Sequence, residues 1–370
     1  MKTRMLVAAA LLLSIAGVGS SSEQRATAKP VGAPKRSIVP RTPDGKPDLQ
    51  GNWSNATITM LERVAGSGLT MTDEDAAALE KRVHLGLEAR EQASDPNRQA
   101  PPVGGATRPV SPGGTEPTVI ERLWQAGAGP VGGYNSFWID PGERVLRIDG
   151  KARTSILIDP PDGRVPALTP EGRARAAAAA EARRKAGGDF DHPELRPLGE
   201  RCIMSFGNNA GPPMLPNYFY NNNYTIVQTP DHVMILTEMV HDARVIRMGG
   251  QHPPAQVRQW MGDSIGRWDG DTLVIETTNF HRLQGFRGSW ENLKVTERLT
   301  RPDAETLLYK FTVEDPETFS APFSGELALH AMKELVYEYS CHEGNYGLEG
   351  VMRGARVQEQ NAVAAKKPQQ

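Results

Sequence analysis

Cysteine is nearly absent from this sequence, whose 370 residues include only Cys202 and Cys341. So few cysteines exclude a disulfide-rich miniprotein and any zinc site built from paired C-x-x-C motifs. A charge excess is missing too, since 42 lysines and arginines face 44 aspartates and glutamates. This balance gives no reason to expect nucleic acid or an anionic membrane surface as a partner, and it leaves the oligomeric state open.

Long apolar runs and the common catalytic motifs are missing as well. The apolar run at residues 5–18 has about 14 residues, fewer than the roughly 20 that a membrane-spanning helix needs. No Walker A motif, no G-x-G-x-x-G before a helix and no G-x-S-x-G elbow occurs. Metal-binding H-x-H and H-E-x-x-H spacings are absent too. The sequence therefore predicts no cofactor, no metal site and no integral membrane segment.

The N-terminus has the pattern of a secretory signal peptide. Lys2 and Arg4 precede the apolar run, and small residues suited to cleavage follow it near Gly19 and Ala28. Residues 1–28 are therefore predicted to be a signal peptide, and the protein is predicted to be periplasmic or secreted.

The two cysteines have two interpretations. In an oxidising compartment an isolated pair most simply forms one disulfide, Cys202–Cys341, which closes a loop of about 140 residues. The alternative is a nucleophile or metal cluster of Cys341 with His342 and Glu343. The predicted compartment favours the disulfide.

Proline and glycine, at 29 and 37 residues, divide the remaining chain. Residues 29–46 are predicted to form a linker, and residues 47–223 are predicted to form an irregular N-terminal region. This region carries two predicted helices, at about 73–93 and 170–186, where Thr72 and Thr169 are suitable N-caps. A short β-meander is expected at 136–159. Residues 346–370 predict a C-terminal segment with a disordered tail.

Residues 224–345 predict an antiparallel β domain. Asp269-Gly270-Asp271 is a hairpin turn, and the residues after it alternate between two faces. Consecutive strands with short connections favour up-and-down pairing. The fold class is thus mainly β: an antiparallel β-barrel or strongly twisted sheet after an irregular region with two helices. The predicted strands are 224–229, 232–240, 243–248, 272–278, 293–300, 306–313, 325–330 and 334–340.

Four glutamates occupy strand positions that alternation places on partly apolar faces: Glu238, Glu276, Glu297 and Glu338. An ionised carboxylate buried alone is costly, so each must be paired, hydrogen-bonded or protonated. In one interpretation, some of them point into a lumen or cleft as acid, base or ligand anchor. In the other, they pair with arginines at sheet edges and hold the register. The available arginines are Arg244, Arg247, Arg267 and Arg298.

An irregular stretch before the β domain combines amides with aromatic rings, a composition that suits stacking on a sugar or aromatic ligand. The same residues would equally serve to close one end of a sheet, with the amides satisfying buried backbone groups. The candidate ligand-binding residues are Asn208, Asn209, Tyr218, Tyr220, Asn222 and Tyr224.

Several long motifs resemble those of a widespread group of exported, hypothetical bacterial proteins. They are PDLQGNW at 47–53, GRWDGDTLVIET at 266–277 and YEYSCHEGNY at 337–346. The resemblance extends over most of residues 43–355. It implies a bacterial, exported, β-rich protein, and it brings no activity or catalytic residues with it.

Three functions are compatible with these features. The first is an exported protein that binds a small amphipathic or sugar-like ligand in a β-barrel or cleft. The second is a periplasmic hydrolase, lyase or isomerase with an acid–base pair drawn from Glu238, Glu276 or Glu297 and His241 or His281. The third is a structural envelope protein without a small-molecule site.

Overall fold

The computed structural model describes residues 39–91, 141–205, 210–343 and 345–365. The predicted signal peptide, residues 29–38 of the predicted linker and residues 136–140 of the predicted meander lie outside this part of the chain. The strands are β1 (Gly51–Ser54), β2 (Arg147–Ile148), β3 (Lys151–Ala152), β4 (Leu157–Asp159), β5 (Asn223–Gln228), β6 (His232–Thr237), β7 (Ala243–Met248), β8 (Asp263–Asp269), β9 (Thr272–Thr278), β10 (Lys294–Thr300), β11 (Thr306–Glu314) and β12 (Phe323–Met332). The helices are α1 (Asp73–Glu91), α2 (Pro170–Ala186) and α3 (Tyr346–Ala365).

Nine strands close into a β-barrel, in the order β1, β5, β6, β7, β8, β9, β10, β11 and β12. Strand β1 completes the ring because it pairs with both β5 and β12. The short strand β4 pairs with the first part of β12, beside Ser324 and Gly325. The mainly β fold expected from the sequence is confirmed, and the barrel rather than an open sheet is its form.

Strand β1 lies within residues 47–223, which the sequence analysis predicted to be an irregular N-terminal region outside the β domain. Its Trp53 lies opposite Tyr224 of β5 and opposite Ala331 of β12. The Trp53 side chain is buried, and its indole Nε1 donates to the Leu49 carbonyl oxygen at 3.0 Å. The expected boundary between residues 223 and 224 therefore does not separate the barrel from the rest, because the barrel needs β1 to close.

The barrel is mixed rather than purely antiparallel. Strands β7 and β8 run parallel, with Ile246 opposite Ser264, and every other neighbouring pair in the ring is antiparallel. An odd number of strands makes this necessary, since alternating directions can close a ring only when the strand number is even. A parallel pair also needs a crossover connection, and residues 249–262 provide it.

Two expectations for the C-terminal part differ from the structure. Residues 334–340 were predicted as a strand, but they form no strand and follow the end of β12 as an irregular segment. Their alternating pattern finds no partner because β12 is already paired on both sides, and closing a barrel removes sheet edges. Residues 346–365, expected as a C-terminal segment and disordered tail, form helix α3.

Side chains fill the barrel interior. Along β11 the inward residues Leu307, Tyr309, Phe311 and Val313 are all at most 1% exposed. Space for the Phe311 ring comes from Gly325 on β12, where a Cβ atom would lie 2.4 Å from a ring carbon. The lumen is therefore a packed core, as in small barrels whose interior is only wide enough for side chains.

A buried ion pair crosses this core. Arg244 of β7 and Glu297 of β10 are 3% and 0% exposed, and the guanidinium donates to both carboxylate oxygens. Tyr309 of β11 donates its hydroxyl to Glu297 Oε1 at 2.9 Å, and the same hydroxyl accepts from the Met214 amide at 2.9 Å. Burial opposes the charge on Arg244, but the attraction of Glu297 outweighs it, so the pKa of Arg244 is raised.

Smaller clusters pack outside the barrel. Helix α1 buries Ala76 and Val83 against a cluster that includes Ile58 and Val145. Helix α2 begins at the expected N-cap, where Thr169 Oγ1 accepts from the Gly172 amide at 2.9 Å. None of the described helices combines the length and apolar character needed to cross a membrane.

Replacing Glu297 by glutamine should destabilise the protein by about 3–5 kcal/mol, because Arg244 then stays buried without a counter-ion. Urea unfolding followed by far-UV circular dichroism measures the loss. The control is Glu314→Gln, which removes a half-exposed carboxylate paired with Lys294 on the neighbouring strand and should cost less than about 1 kcal/mol. Equal losses for the two variants would contradict the structural role of Glu297.

Candidate functional site

The disulfide between Cys202 and Cys341 anchors the segment that leaves the barrel. The bond is present, with Cα atoms 5.7 Å apart, so the disulfide expected from the sequence is confirmed. Cys202 is buried beside Met239 and Val240. A second contact holds the same segment, since Asn345 Nδ2 donates to the Glu200 carbonyl oxygen at 3.0 Å.

A cleft of about 940 Å³ lies beside this disulfide. We call it the disulfide cleft. One wall comes from residues 190–200, residues 220–221 and Glu238, which follows β6. The other comes from residues 337–343 and 345–351, which include the start of α3. The cleft volume lies within the range typical of small-molecule sites. The two walls meet at the disulfide, which joins the segment that follows β12 to the segment that precedes β5.

The lining of the disulfide cleft combines aromatic rings with carboxylates. The rings are Phe190, Tyr220, Tyr337 and Tyr339, and the carboxylates are Glu200, Glu238, Glu338 and Glu343. The side chains of Phe190 and Tyr337 are 43% and 72% exposed, so their rings are open to solvent.

Arg196 is the cationic side chain among the described lining residues, and neighbouring side chains already bind its guanidinium group. Its Nε and Nη2 donate to the two carboxylate oxygens of Glu200, each at 2.8 Å. The guanidinium carbon also lies 4.6 Å from the centre of the Phe190 ring. The hydrogen bond to Glu200 is the main reason that the pKa of Arg196 is raised. The positive charge of the cleft wall is therefore matched by an adjacent carboxylate.

Glu238 is the predicted catalytic candidate that lies in the cleft. It directly precedes the short 3-10 helix Met239–His241, which contains the second candidate, His241, at its end. Glu238 is half-buried, and its Oε2 accepts from Asn223 Nδ2 at 2.9 Å.

The predicted ligand-binding residues lie in several different places. Tyr220 lines the disulfide cleft. Tyr218 donates its hydroxyl to the Thr59 carbonyl oxygen at 3.2 Å, outside the barrel. Burial raises the pKa of the Tyr218 hydroxyl, and likewise that of Tyr224.

The other members of that set have structural contacts or lie outside the described chain. Tyr224 is inside the barrel, where its hydroxyl accepts from Asn55 Nδ2 at 3.1 Å. Asn222 is buried, and its Oδ1 accepts from the Asn217 amide at 2.8 Å. Asn208 and Asn209 lie outside the described residues.

Glu276 lies on the outer face of the barrel wall, near His252. His252, in the crossover between β7 and β8, has Nδ1 2.6 Å from Asp263 Oδ2. Its Nε2 lies 3.5 Å from Glu276 Oε1 and has no hydrogen-bond partner among the described residues. Arg247 completes the group by donating to both oxygens of Asp263, at 2.6 and 3.0 Å.

These contacts keep Asp263 ionised. Its burial opposes the charge, but hydrogen bonds from Arg247 and His252 outweigh the burial, so the pKa of Asp263 is lowered from 3.8. The group fixes the crossover segment to the barrel wall at His252.

The remaining two candidates have other surroundings. His281 lies against Trp260 with ring centres 4.1 Å apart and ring planes tilted by 46°, and its pKa is lowered by burial and then by the charge of Arg282. Glu297 is enclosed in the barrel core with Arg244. The interpretation in which a strand glutamate pairs with an arginine therefore describes Glu297, with the difference that the pair lies in the barrel interior and not at a sheet edge.

Sequence reasoning named Glu338 and Glu343 as candidates, but it did not predict that residues 337–343 form one wall of a cleft, and it missed the position of His252. The wall had a usable signal, because assigning the disulfide already brings the residues around Cys341 next to those around Cys202. His252 had none, since its contact with Asp263 depends on how the crossover lies against the barrel.

Comparison with known proteins adds no family. No family model, curated protein or solved structure matches the chain. Among the residues that the structure describes, no group of three or more His, Cys, Asp or Glu side chains is arranged to hold a metal ion.

Replacing both cysteines by serine should lower stability by up to about 5 kcal/mol, because the bond closes a loop with a sequence separation of 139. The loss should be accompanied by faster proteolysis within residues 335–345, which the bond attaches to the rest of the protein. Urea unfolding and limited proteolysis with mass spectrometry measure the two effects. The wild type treated with reductant is the control and should behave like the variant. An unchanged cleavage pattern would contradict the anchoring role.

Replacing Asp263 by asparagine should cost about 1.5–3 kcal/mol at pH 7, because Arg247 and His252 lose a charged hydrogen-bond partner. The folded pKa of Asp263 is depressed, so its contribution is full above the unfolded value of 3.8 and is lost as pH falls below it. The difference between wild type and variant should therefore shrink between pH 5 and about pH 2.

Thermal unfolding across that pH range tests this. The matched control is Asp269→Asn, which removes an exposed carboxylate paired with Arg298 and should change stability much less. A wild-type advantage that persists undiminished at the acid end would be inconsistent with ionised Asp263 as its source.

Proposed function

We propose that this chain is an exported protein that binds a small amphipathic or sugar-like molecule in the disulfide cleft. The observation that carries the proposal is the cleft itself, a concavity of about 940 Å³ where four aromatic rings and four carboxylates converge. Small-molecule sites combine apolar walls with a few polar groups in this way. Aromatic rings would cover an apolar or sugar face, while carboxylates accept hydrogen bonds from hydroxyl or amino groups.

The packing of the barrel supports the cleft rather than the lumen as the binding site. The inward positions of β11 are filled by large side chains, and Arg244 and Glu297 form a buried ion pair in the interior. A ligand in the lumen would have to displace this core. The cleft needs no such rearrangement, because Tyr337 is already exposed beside it.

Export is part of the proposal. The first residues combine a basic start, an apolar run and small residues, as secretory signal peptides do. The Cys202–Cys341 disulfide is typical of proteins in oxidising compartments. Together these features support a periplasmic or secreted location.

A hydrolase, lyase or isomerase is the second candidate, and the group around His252 favours it. Asp263 accepts from His252 Nδ1, which would leave Nε2 as the free nitrogen directed at Glu276, 3.5 Å away. A histidine oriented by a carboxylate is a common general acid or base. The binding proposal is preferred because the cleft offers about 940 Å³ of space beside its aromatic rings and carboxylates.

Binding of the neutral amphipathic fluorophore N-phenyl-1-naphthylamine tests the proposal. Its fluorescence should rise on titration with the protein, because the probe becomes shielded from water between aromatic rings. Ser340→Trp places a large side chain in the cleft lining and should weaken binding at least roughly tenfold.

The matched control is Lys333→Trp, which puts the same side chain at an exposed position of the same segment outside the cleft. This variant should bind the probe like the wild type. Equal binding by wild type and Ser340→Trp would place the probe elsewhere and overturn the cleft as a binding site. The third candidate, a structural envelope protein, predicts no probe binding at all.

A further inference from the structure

We propose that the first half of helix α3, residues 346–356, is a lid of the disulfide cleft that unfolds and refolds, and that a bound ligand holds it folded. We call these residues the lid segment. This inference rests on the proposed binding function and adds the means by which the cleft opens and closes. The position of the helix, its few attachments and its glycines all point to this role.

The lid segment forms one side of the cleft. Gly347, Leu348 and Val351 are lining residues, and the same wall includes Tyr337, which precedes the disulfide. Leu348 is half-buried and Val351 is 39% exposed, so apolar side chains line the cleft without being enclosed. A ligand seated against them would bury this apolar surface only while the segment is helical. The ligand would therefore favour the folded lid segment.

Helix α3 is attached to the rest of the protein at few points. None of its 20 residues is buried. At its start, Asn345 Oδ1 accepts from the Leu348 amide at 3.3 Å, while Asn345 Nδ2 donates to the Glu200 carbonyl oxygen at 3.0 Å. Within the described chain, the next polar contact between α3 and another segment is made by Arg356. Burial of an apolar face stabilises most protein helices, and α3 has little of this stabilisation.

Two glycines weaken the lid segment further. Gly350 and Gly354 lie inside the helix, where glycine shifts the balance toward the unfolded chain about fivefold relative to alanine. Neither adopts a positive φ, and a Cβ atom at either position would meet no described atom within 4 Å beyond its own stretch of helix. Turn geometry and close packing therefore do not explain these glycines. We expect them instead to keep the folded and unfolded lid segment close to balance.

Arg356 attaches the far end of the lid segment. Its Nη2 donates to the Phe190 carbonyl oxygen at 2.8 Å, and its Nη1 donates to the Asp191 carbonyl oxygen at 3.4 Å. Phe190 lines the cleft, so this contact joins the helix to the other wall. The Nε atom of Arg356 is buried and has no hydrogen-bond partner in the described chain. Because water would satisfy Nε once the segment opens, this contact is easier to break than one with a fully bonded guanidinium.

Hydrogen–deuterium exchange of the intact protein, followed by mass spectrometry with and without saturating N-phenyl-1-naphthylamine, tests the inference. Amides of residues 348–356 should exchange quickly in the free protein, because they are exposed whenever the lid segment unfolds. The probe should slow their exchange and leave that of strand β11 unchanged. Unchanged exchange at residues 348–356 in a protein that binds the probe would overturn the lid.

Substitutions that change only the helix measure the coupling. Arg353→Gly alters a side chain that is 78% exposed and outside the cleft lining, so it should unfold the lid segment and weaken probe binding about threefold. Gly350→Ala combined with Gly354→Ala should act in the opposite direction, slowing exchange of residues 348–356 about tenfold and tightening binding about twofold. The matched control is Gln360→Gly, which introduces the same change beyond Arg356 and should leave binding unchanged.

The outcomes separate the lid from the binding site. If Ser340→Trp weakens probe binding while Arg353→Gly and the paired substitution of the two glycines leave it unchanged, the cleft binds ligands and the lid is wrong. If wild type and Ser340→Trp bind the probe equally, the cleft is not the binding site and both proposals fail. Opposite shifts in affinity for the two helix variants, with Gln360→Gly like the wild type, are the expected result, and a static wall would not produce them.

Discussion

The ion pair between Arg244 and Glu297 is the contact on which the packing of the barrel interior depends. Both side chains are almost completely buried, so each requires the other, and the Tyr309 hydroxyl completes the group. The Met214 amide joins the same network from a segment outside the strands. A charged pair of this kind cannot be opened for a ligand without exposing a buried charge. The barrel interior is thus a packed core that holds its own ion pair.

Closure of the barrel explains the features around it. Strand β1 brings the number of strands in the ring to nine, and an odd ring needs the parallel pair β7–β8. That pair needs the crossover at residues 249–262, which His252 and Asp263 attach to the wall. Because both sides of β12 are occupied, residues 334–340 leave the sheet. The disulfide then fixes this segment as one wall of the cleft.

The cleft is therefore a consequence of closure as well as of the disulfide. A strand-like segment that had joined the sheet would have placed alternate side chains toward the core. Outside the sheet, Tyr337 and Glu338 stay near solvent, where a ligand can reach them. Tyr220 and Glu238 face them from the other wall. The cleft thus combines residues that are far apart in the sequence.

Local patterns in the sequence were enough to determine the strands β5 to β7 and β9 to β12, the start of helix α2 at Thr169, and the disulfide. Alternation, N-caps and a single cysteine pair act over short distances or leave one choice. They also placed Glu297 on a partly apolar face, but they did not show whether its partner was a ligand or Arg244. Tertiary structure alone decided that partner, the role of β1 in closing the ring, the approach of His252 to Glu276, and the separation of Tyr220 from Tyr218 and Tyr224. The physical reason is that each joins segments that are far apart in the sequence, and these segments meet only when the whole ring has closed.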